Sequence, residues 1–333
     1  MRGKYPFDRP VIILAAPRSG STLLFETLKE SGDLWTIGGE SHGIFERVNR
    51  YNPMTRFCDS NALYAEDSIP EIIDQLRAWF YQKLRDSQGR SIQSAHRPLD
   101  RAPRFLEKTP KNALRVSLLN EIFPDALFIY LYRNPRENIS SMMEAWRSGR
   151  FVTYAALPGR RTPWSLLLPP DWQSYHDAPL EKITAFQWQS ANEAILKQLA
   201  RLDRNRWMAV SYGQQVRSPV ATVKTVCEFC DVSATQILEA LSSGQSKLSR
   251  YTISPPSANK WHSNAAALGR VLPGLQKTIA LIRSSAPELP EDEFDLSVDA
   301  AVPDNPRPDE AGPDATLDPA STRSHAHKPE VYE

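Results

Sequence analysis

Cysteine is scarce in this chain, with 3 among 333 residues. Cys58, Cys227 and Cys230 are an odd set that cannot pair into a disulfide framework, which fits a reducing, cytoplasmic setting. Cys227 and Cys230 have C-x-x-C spacing, but no second pair follows to close a zinc site. Val226, Phe229 and Val232 around them read as the buried face of a helix, so no metal is expected. Long apolar runs are also missing. The first, Val11 to Ala16, is too short for a signal-peptide core or a membrane span, so no transmembrane segment is expected. Charge of one sign is missing too, since 40 Lys+Arg stand against 39 Asp+Glu. The basic residues are dispersed and no helix carries a basic stripe interleaved with aromatics, which argues against a nucleic-acid partner.

What is present is a globular composition, 41% hydrophobic and 9% aromatic, with a hidden asymmetry. Residues 288–333 hold thirteen acidic and three basic side chains, while residues 1–287 hold 37 basic and 26 acidic. A positive body suits a small anionic ligand or an anionic surface. From Pro287 onward fall eight of the 27 prolines and almost no aromatics, so residues 287–333 read as an acidic, Pro-rich disordered tail. Residues 1–286 then form one α/β domain. Val11 to Ala16 and Ala126 to Tyr132 are apolar on both faces, as central parallel strands must be. Shorter strands are predicted at 34–37, 104–107 and 206–210. Helices are predicted over 67–84, 113–122, from the Arg133–Arg136 exit to about Trp146, 180–202, 218–230, 234–241 and 272–284, with an irregular insert near 151–178. Alternating strands and helices predict a P-loop-type three-layer α/β/α sandwich with a central parallel sheet.

The first strand exits into Pro17-Arg18-Ser19-Gly20-Ser21-Thr22, followed by a helix. Small residues let successive N–H groups converge at a helix N-terminus, where the dipole favours an anion, and Arg18 adds a forked cation. The loop departs from G-x-x-x-x-G-K-[ST], because Ala15 replaces the first Gly and Ser21 stands where the Lys belongs. A standard ATPase grip is therefore absent, although an atypical P-loop kinase or a noncatalytic nucleotide-binding protein stays open as an alternative.

Pro17 to Leu24 resembles the 5'-phosphosulfate-binding loop of sulfotransferases that use 3'-phosphoadenosine 5'-phosphosulfate (PAPS), above all the bacterial, polyketide-associated and tyrosylprotein sulfotransferases. The segment Tyr132 to Ser141 is similar to that family's 3'-phosphate motif, in which an Arg and a Ser eight residues later hold the phosphate; Arg133 and Ser141 occupy those places. The resemblance covers about residues 8–285 and implies donor contacts from Arg18, Ser19, Gly20, Ser21, Thr22, Arg133 and Ser141. Weaker likenesses follow. Val210-Ser211-Tyr212-Gly213 is similar to a strand end that usually reads Tyr-Glu-Asp-Leu, with Gly213 and Gln214 in place of the acids. Asn259-Lys260-Trp261 is similar to a late basic segment near the nucleotide, which adds Lys260.

The implied reaction moves a sulfuryl group from PAPS to a hydroxyl, less often an amine, and releases adenosine 3',5'-bisphosphate. The implied acceptor is an unidentified small molecule, carbohydrate or lipid-like compound, and the aromatics Phe45, Trp79, Trp146, Phe151, Trp164 and Trp172 are acceptor-pocket candidates. An acceptor hydroxyl needs a base, and Gly38-Gly39-Glu40-Ser41-His42 offers Glu40 and His42. An imidazole with a pKa of about 6.5 is suited to that role near neutrality, whereas a carboxylate at about 4.3 would need raising, so His42 is favoured with Glu40 orienting. Lys108, in Glu107-Lys108-Thr109-Pro110, and Arg18 are the expected charge stabilisers.

Overall fold

The computed structural model describes residues 5–94, 101–243 and 259–296. Among them the chain runs β1 (Val11–Leu14), α1 (Ser21–Leu28), β2 (Leu34–Trp35), α2 (His42–Glu46), α3 (Pro70–Lys83), β3 (Arg104–Lys108), α4 (Val116–Ile122), β4 (Leu127–Tyr132) and α5 (Pro135–Arg147). It continues through β5 (Val152–Tyr154), β6 (Trp164–Ser165), α6 (Leu180–Leu199), β7 (Trp207–Ser211), α7 (Tyr212–Arg217), α8 (Pro219–Cys230), α9 (Thr235–Ser242), α10 (Ala265–Val271) and α11 (Gln276–Ser285).

The main sheet has the order β2-β3-β1-β4-β7 and every pairing is parallel. Its strands alternate between two apolar layers. Val11, Ile13, Ala15, Ile129 and Leu131 face Leu24 and Leu28 of α1 and Val223 and Val226 of α8. Ile12, Leu14, Ala16, Phe128 and Tyr130 face Leu118 of α4 and Trp188 and Ile195 of α6. Helices on both faces are why these strands read as unbroken apolar runs rather than alternating ones. The three-layer sandwich expected from the sequence is the fold.

β1 is flanked by β3 and β4, with Ile13 opposite Lys108 on one side and Ile129 on the other. The chain segments leaving the carboxyl ends of these three strands therefore emerge side by side. In open parallel sheets such a row of exits, with connections leaving to either side, is where ligands bind.

Some local expectations shift. The 113–122 helix splits into a 3-10 turn (Pro110–Leu114) and α4, because Pro110 starts the turn and Arg115 leaves helical geometry. The short helices α7 and α10 lay outside the predicted set. The 151–178 insert contains the antiparallel pair β5–β6. It also carries its own satellite core of Tyr154, Leu157, Trp164, Leu168 and Trp172 with Cys58 and Ile183. Trp164, Trp172 and Phe45 are fully buried in cores, which removes them as acceptor-pocket candidates. The tail boundary moves as well. Leu289, Glu293 and Phe294 are buried, so the packed body runs past residue 286. Residues 297–333 and the histidines His96, His325 and His327 lie outside the described residues.

Cys227 and Cys230 face the α1 layer of the core from α8. Burial pushes their thiols up to about 11 and about 12, respectively, which suits packing rather than reactivity. Among the described residues no helix is long and apolar enough to cross a membrane.

Candidate functional site

The β1 exit is a tight turn with two left-handed residues, Arg18 (φ 66°) and Gly20 (φ 90°). Gly20 directly precedes α1, and its carbonyl accepts the first helical N–H bonds from Leu23 and Leu24. Ser21 and Thr22 thus sit in the first turn of α1, at the positive end of the helix dipole. The Ser19 hydroxyl points away into the protein, where it donates to Asn138 Oδ1 at 2.8 Å, and Asn138 Nδ2 donates to the Pro17 carbonyl at 2.8 Å. One buried amide on α5 therefore staples the loop from both sides. The Ser19 hydroxyl is thus engaged in this staple, and its N–H donates to the Ala16 carbonyl at 3.3 Å.

Glycine at position 20 is required on two counts. Besides its positive φ, a Cβ here would fall 2.3 Å from the Tyr212 ring. Gly20→Ala is expected to cost about 1–2 kcal/mol through the backbone. It should also push Tyr212 aside. Denaturant unfolding checks this, and a variant as stable as the parent would contradict it.

Arg133 leaves β4 beside this loop. Its Nη1 donates to the Arg18 carbonyl at 3.0 Å, its guanidinium lies 4.4 Å from the Tyr212 ring centroid, and it pairs with Glu137 at 3.2 Å. The two sequence motifs are thus in direct contact. The Arg18 side chain runs over the Phe151 ring, with its guanidinium carbon 4.8 Å from the centroid. Its guanidinium is held below the usual arginine value, first by burial and then by the Arg133 cation, with Glu144 opposing and Arg150 adding. Cations gathered this closely at a helix N-terminus make a place where an anion is stabilised. Ser141 is half-buried on α5, two turns beyond Arg133.

Lys260 opens a short 3-10 turn that docks on α5. Trp261 packs 4.1 Å from the Arg136 guanidinium, and Asn264 both donates to the Ser140 hydroxyl at 2.9 Å and accepts from Arg147 at 2.7 Å. These contacts bring the late basic segment to the helix that carries Ser141.

On the other side of β1, Lys108 ends β3 almost fully buried. Its Nζ lies 2.7 Å from Glu40 Oε1, and Glu40 Oε2 lies 3.8 Å from His42 Nδ1. The residues taken together from sequence are therefore a contiguous Lys108–Glu40–His42 array. Lys108 pairs with Glu40 across 68 residues of sequence. The half-exposed His42 imidazole is pushed below its ordinary value of 6.5, by partial burial first and the Lys111 cation second, while Glu40 and Glu46 oppose. It is therefore neutral at pH 7 and has a lone pair to offer.

The part that sequence reasoning missed is what holds this array. Glu107 is fully buried, and its Oε1 accepts from Ser41 Oγ, from Thr109 Oγ1 at 2.7 Å and from Asn112 Nδ2 at 3.0 Å. Ser41 N also donates to Thr109 Oγ1 at 2.7 Å. Ser41 lies between Glu40 and His42, so this network pins both to the end of β3. Burial pushes the Glu107 carboxyl above its ordinary 4.5, against those three hydrogen bonds. A carboxyl raised in the folded state contributes stability that is complete at low pH and lost as pH rises through its folded value. Glu107→Gln keeps the acceptor oxygen and cannot ionise. It is expected to fold and to lack the part of the pH–stability slope above 4.5, as read from denaturation midpoints across pH. An unchanged slope would show that Glu107 does not titrate with folding.

The Sulfotransferase family profile matches residues 10–236, more than half of the chain, and this chain belongs to that family. It is similar to a protein-tyrosine sulfotransferase of Drosophila melanogaster, with 23% identity over 231 residues, 68% of this chain and 39% of that protein. It is also similar to protein-tyrosine sulfotransferase A of Caenorhabditis elegans, with 21% identity over 224 residues, 67% of this chain and 50% of that protein. The chain thus matches half or less of the length of these curated relatives. Among solved structures, a sulfotransferase from Alicyclobacillus acidocaldarius aligns at 14% identity and a TM-score of 0.45, over 83% of this chain and 95% of that one.

Proposed function

We propose that this protein is a PAPS-dependent sulfotransferase that moves a sulfuryl group to a hydroxyl, less readily an amine, of a small-molecule, carbohydrate or lipid-like acceptor. One observation carries the reading. The Arg18 loop and Arg133, distant in sequence, meet through the 3.0 Å bond from Arg133 Nη1 to the Arg18 carbonyl, and the Lys108–Glu40–His42 array stands at the neighbouring strand end. This is a row of cations beside a neutral imidazole, suited to a nucleotide with two anionic groups at one end and a proton-bearing acceptor at the other.

The donor would supply a sulfuryl group already activated by its anhydride bond to phosphate. The chain's residues do the rest. The loop from Arg18 to Thr22 holds the 5'-phosphate through its N–H groups and hydroxyls, with Arg18 adding charge. Arg133 and Ser141 hold the 3'-phosphate, and Lys260 adds charge at the nucleotide. His42 accepts the acceptor's proton as the new S–O bond forms and the anhydride S–O bond breaks. With Nδ1 turned toward Glu40, the ring offers Nε2 for that transfer. Lys108 balances charge gathering on the departing phosphate oxygen, so adenosine 3',5'-bisphosphate leaves as the product. The free, buried cysteines support a reducing, cytoplasmic setting.

Calorimetry with adenosine 3',5'-bisphosphate, followed by mass-spectrometric screening of hydroxyl acceptors with PAPS, tests the reading. Tight bisphosphate binding and an 80 Da gain on an acceptor, about the mass of SO3, are expected. Magnesium-dependent ATP binding without bisphosphate binding would overturn it.

A further inference from the structure

The segment after α11 returns to the carboxyl end of β7 and seats a carboxylate there. Glu293 is buried, and its Oε1 accepts from Ser211 Oγ at 2.7 Å. Ser211 ends β7, and its Oγ in turn accepts from Gln214 N at 3.0 Å, capping α7. A Cβ on Gly213 would fall 1.8 Å from Glu293 Oε1. The missing side chain at 213 and the carboxylate arriving from 293 therefore fill one space. The same segment grips both neighbours of Arg133. Phe294 stacks on Tyr132 with ring centroids 5.3 Å apart, and Asn134 Nδ2 donates to the Asp295 carbonyl at 2.8 Å. Between these contacts lies Tyr212, with its ring against Arg133 on one side and against the space above Gly20 on the other.

We infer that Glu293 is a positioning residue for the nucleotide site. By fixing Ser211 and the first turn of α7, it holds the Tyr212 ring where that ring orders Arg133 and the Gly20 loop together, so nucleotide affinity depends on the C-terminal segment. Glu293 itself does not touch the nucleotide. The inference rests on the donor reading given above.

The test uses the full chain, with adenosine 3',5'-bisphosphate as the calorimetric probe and thermal unfolding as the companion readout. Glu293→Ala is expected to weaken the bisphosphate about tenfold in protein that is still folded. Glu293→Gln, whose amide oxygen still accepts from Ser211, should bind within about twofold of the parent. Tyr212→Ala should also weaken binding, and adding Glu293→Ala to it should produce no further loss, because both changes remove one coupled arrangement. Gly213→Ala reaches the same point without altering residue 293: its new methyl displaces the carboxylate, and the same loss of about tenfold is expected. A lowered unfolding midpoint with unchanged affinity in both Glu293→Ala and Gly213→Ala would make the segment mere packing and overturn the inference. Additive losses in the double variant would overturn it as well. A parent protein that binds no bisphosphate would instead defeat the donor reading, and the inference with it.

Discussion

His42→Gln is expected to lower kcat by about 10²–10⁴, the usual span for loss of a general base. Affinity for the bisphosphate should stay near that of the parent, because His42 opens α2 beside Glu40 and is not one of the residues proposed to hold the nucleotide. The pH profile carries the sharper expectation. Burial and Lys111 lower the imidazole pKa, and the base must be unprotonated to act. Activity of the parent should therefore be level through neutral pH and fall only below 6.5, the ordinary imidazole value from which His42 is lowered. In His42→Gln that acid limb should vanish along with most of the rate. Lys111→Met removes a cation that depresses His42, so the limb should move toward higher pH while bisphosphate binding is kept. If the limb survives in His42→Gln at its original position, the proton is going to Glu40 and the assignment is wrong.

Much of this site is visible in sequence because it is local. The two apolar strand runs, the Gly20 turn and the Arg133 segment are each determined within a dozen residues by burial on both faces or by backbone geometry. A parallel sheet then places neighbouring strand exits along one edge, so the loop after β1 and the segment after β4, which only the resemblance to sulfotransferases linked to one ligand, emerge side by side. What the sequence hides is pairing across distance. Lys108 has an acidic neighbour in the chain, yet its side chain meets Glu40, 68 residues away, while Glu107 turns inward to Ser41, 66 residues away. Adjacent residues of a strand point to opposite faces, so Lys108 and Glu107 reach different partners. Asn138 read as one more polar residue in a phosphate motif, and only the side-by-side placement of α5 and the β1 exit reveals it as the staple. The tail boundary was misplaced for a related reason. Acidic, proline-rich composition averages over Leu289 and Phe294, two buried apolar residues at and beside the 3-10 turn Glu291–Phe294 that ends the packed body. The aromatic residues illustrate the same limit, since Trp164 and Trp172 fill the insert's own core and not a cleft.

Lys108→Met should lower kcat by about 10²–10³, the scale seen when one preorganised donor to developing charge is removed. Nucleotide affinity is expected to change much less, because the Lys108 ammonium is held at Glu40 on the β3 side of the sheet edge, while the groups proposed to hold the phosphates leave β1 and β4. An interaction that strengthens as charge moves onto the leaving oxygen affects kcat, whereas one made equally before and during the reaction affects binding. Removing one member of a buried ion pair also leaves its partner uncompensated, so part of any loss must be separated from lost stability. The pair itself provides the separation. Glu40→Gln breaks the same 2.7 Å ion pair but leaves the ammonium in place. If Lys108 acts on the leaving oxygen, Glu40→Gln keeps more activity than Lys108→Met even where the two are equally destabilised in denaturant. Stopped single-turnover measurements with saturating PAPS read this contrast directly, free of product release. Equal losses in the two variants would reduce Lys108 to a support for Glu40 and move charge stabilisation wholly to Arg18 and the α1 N-terminus.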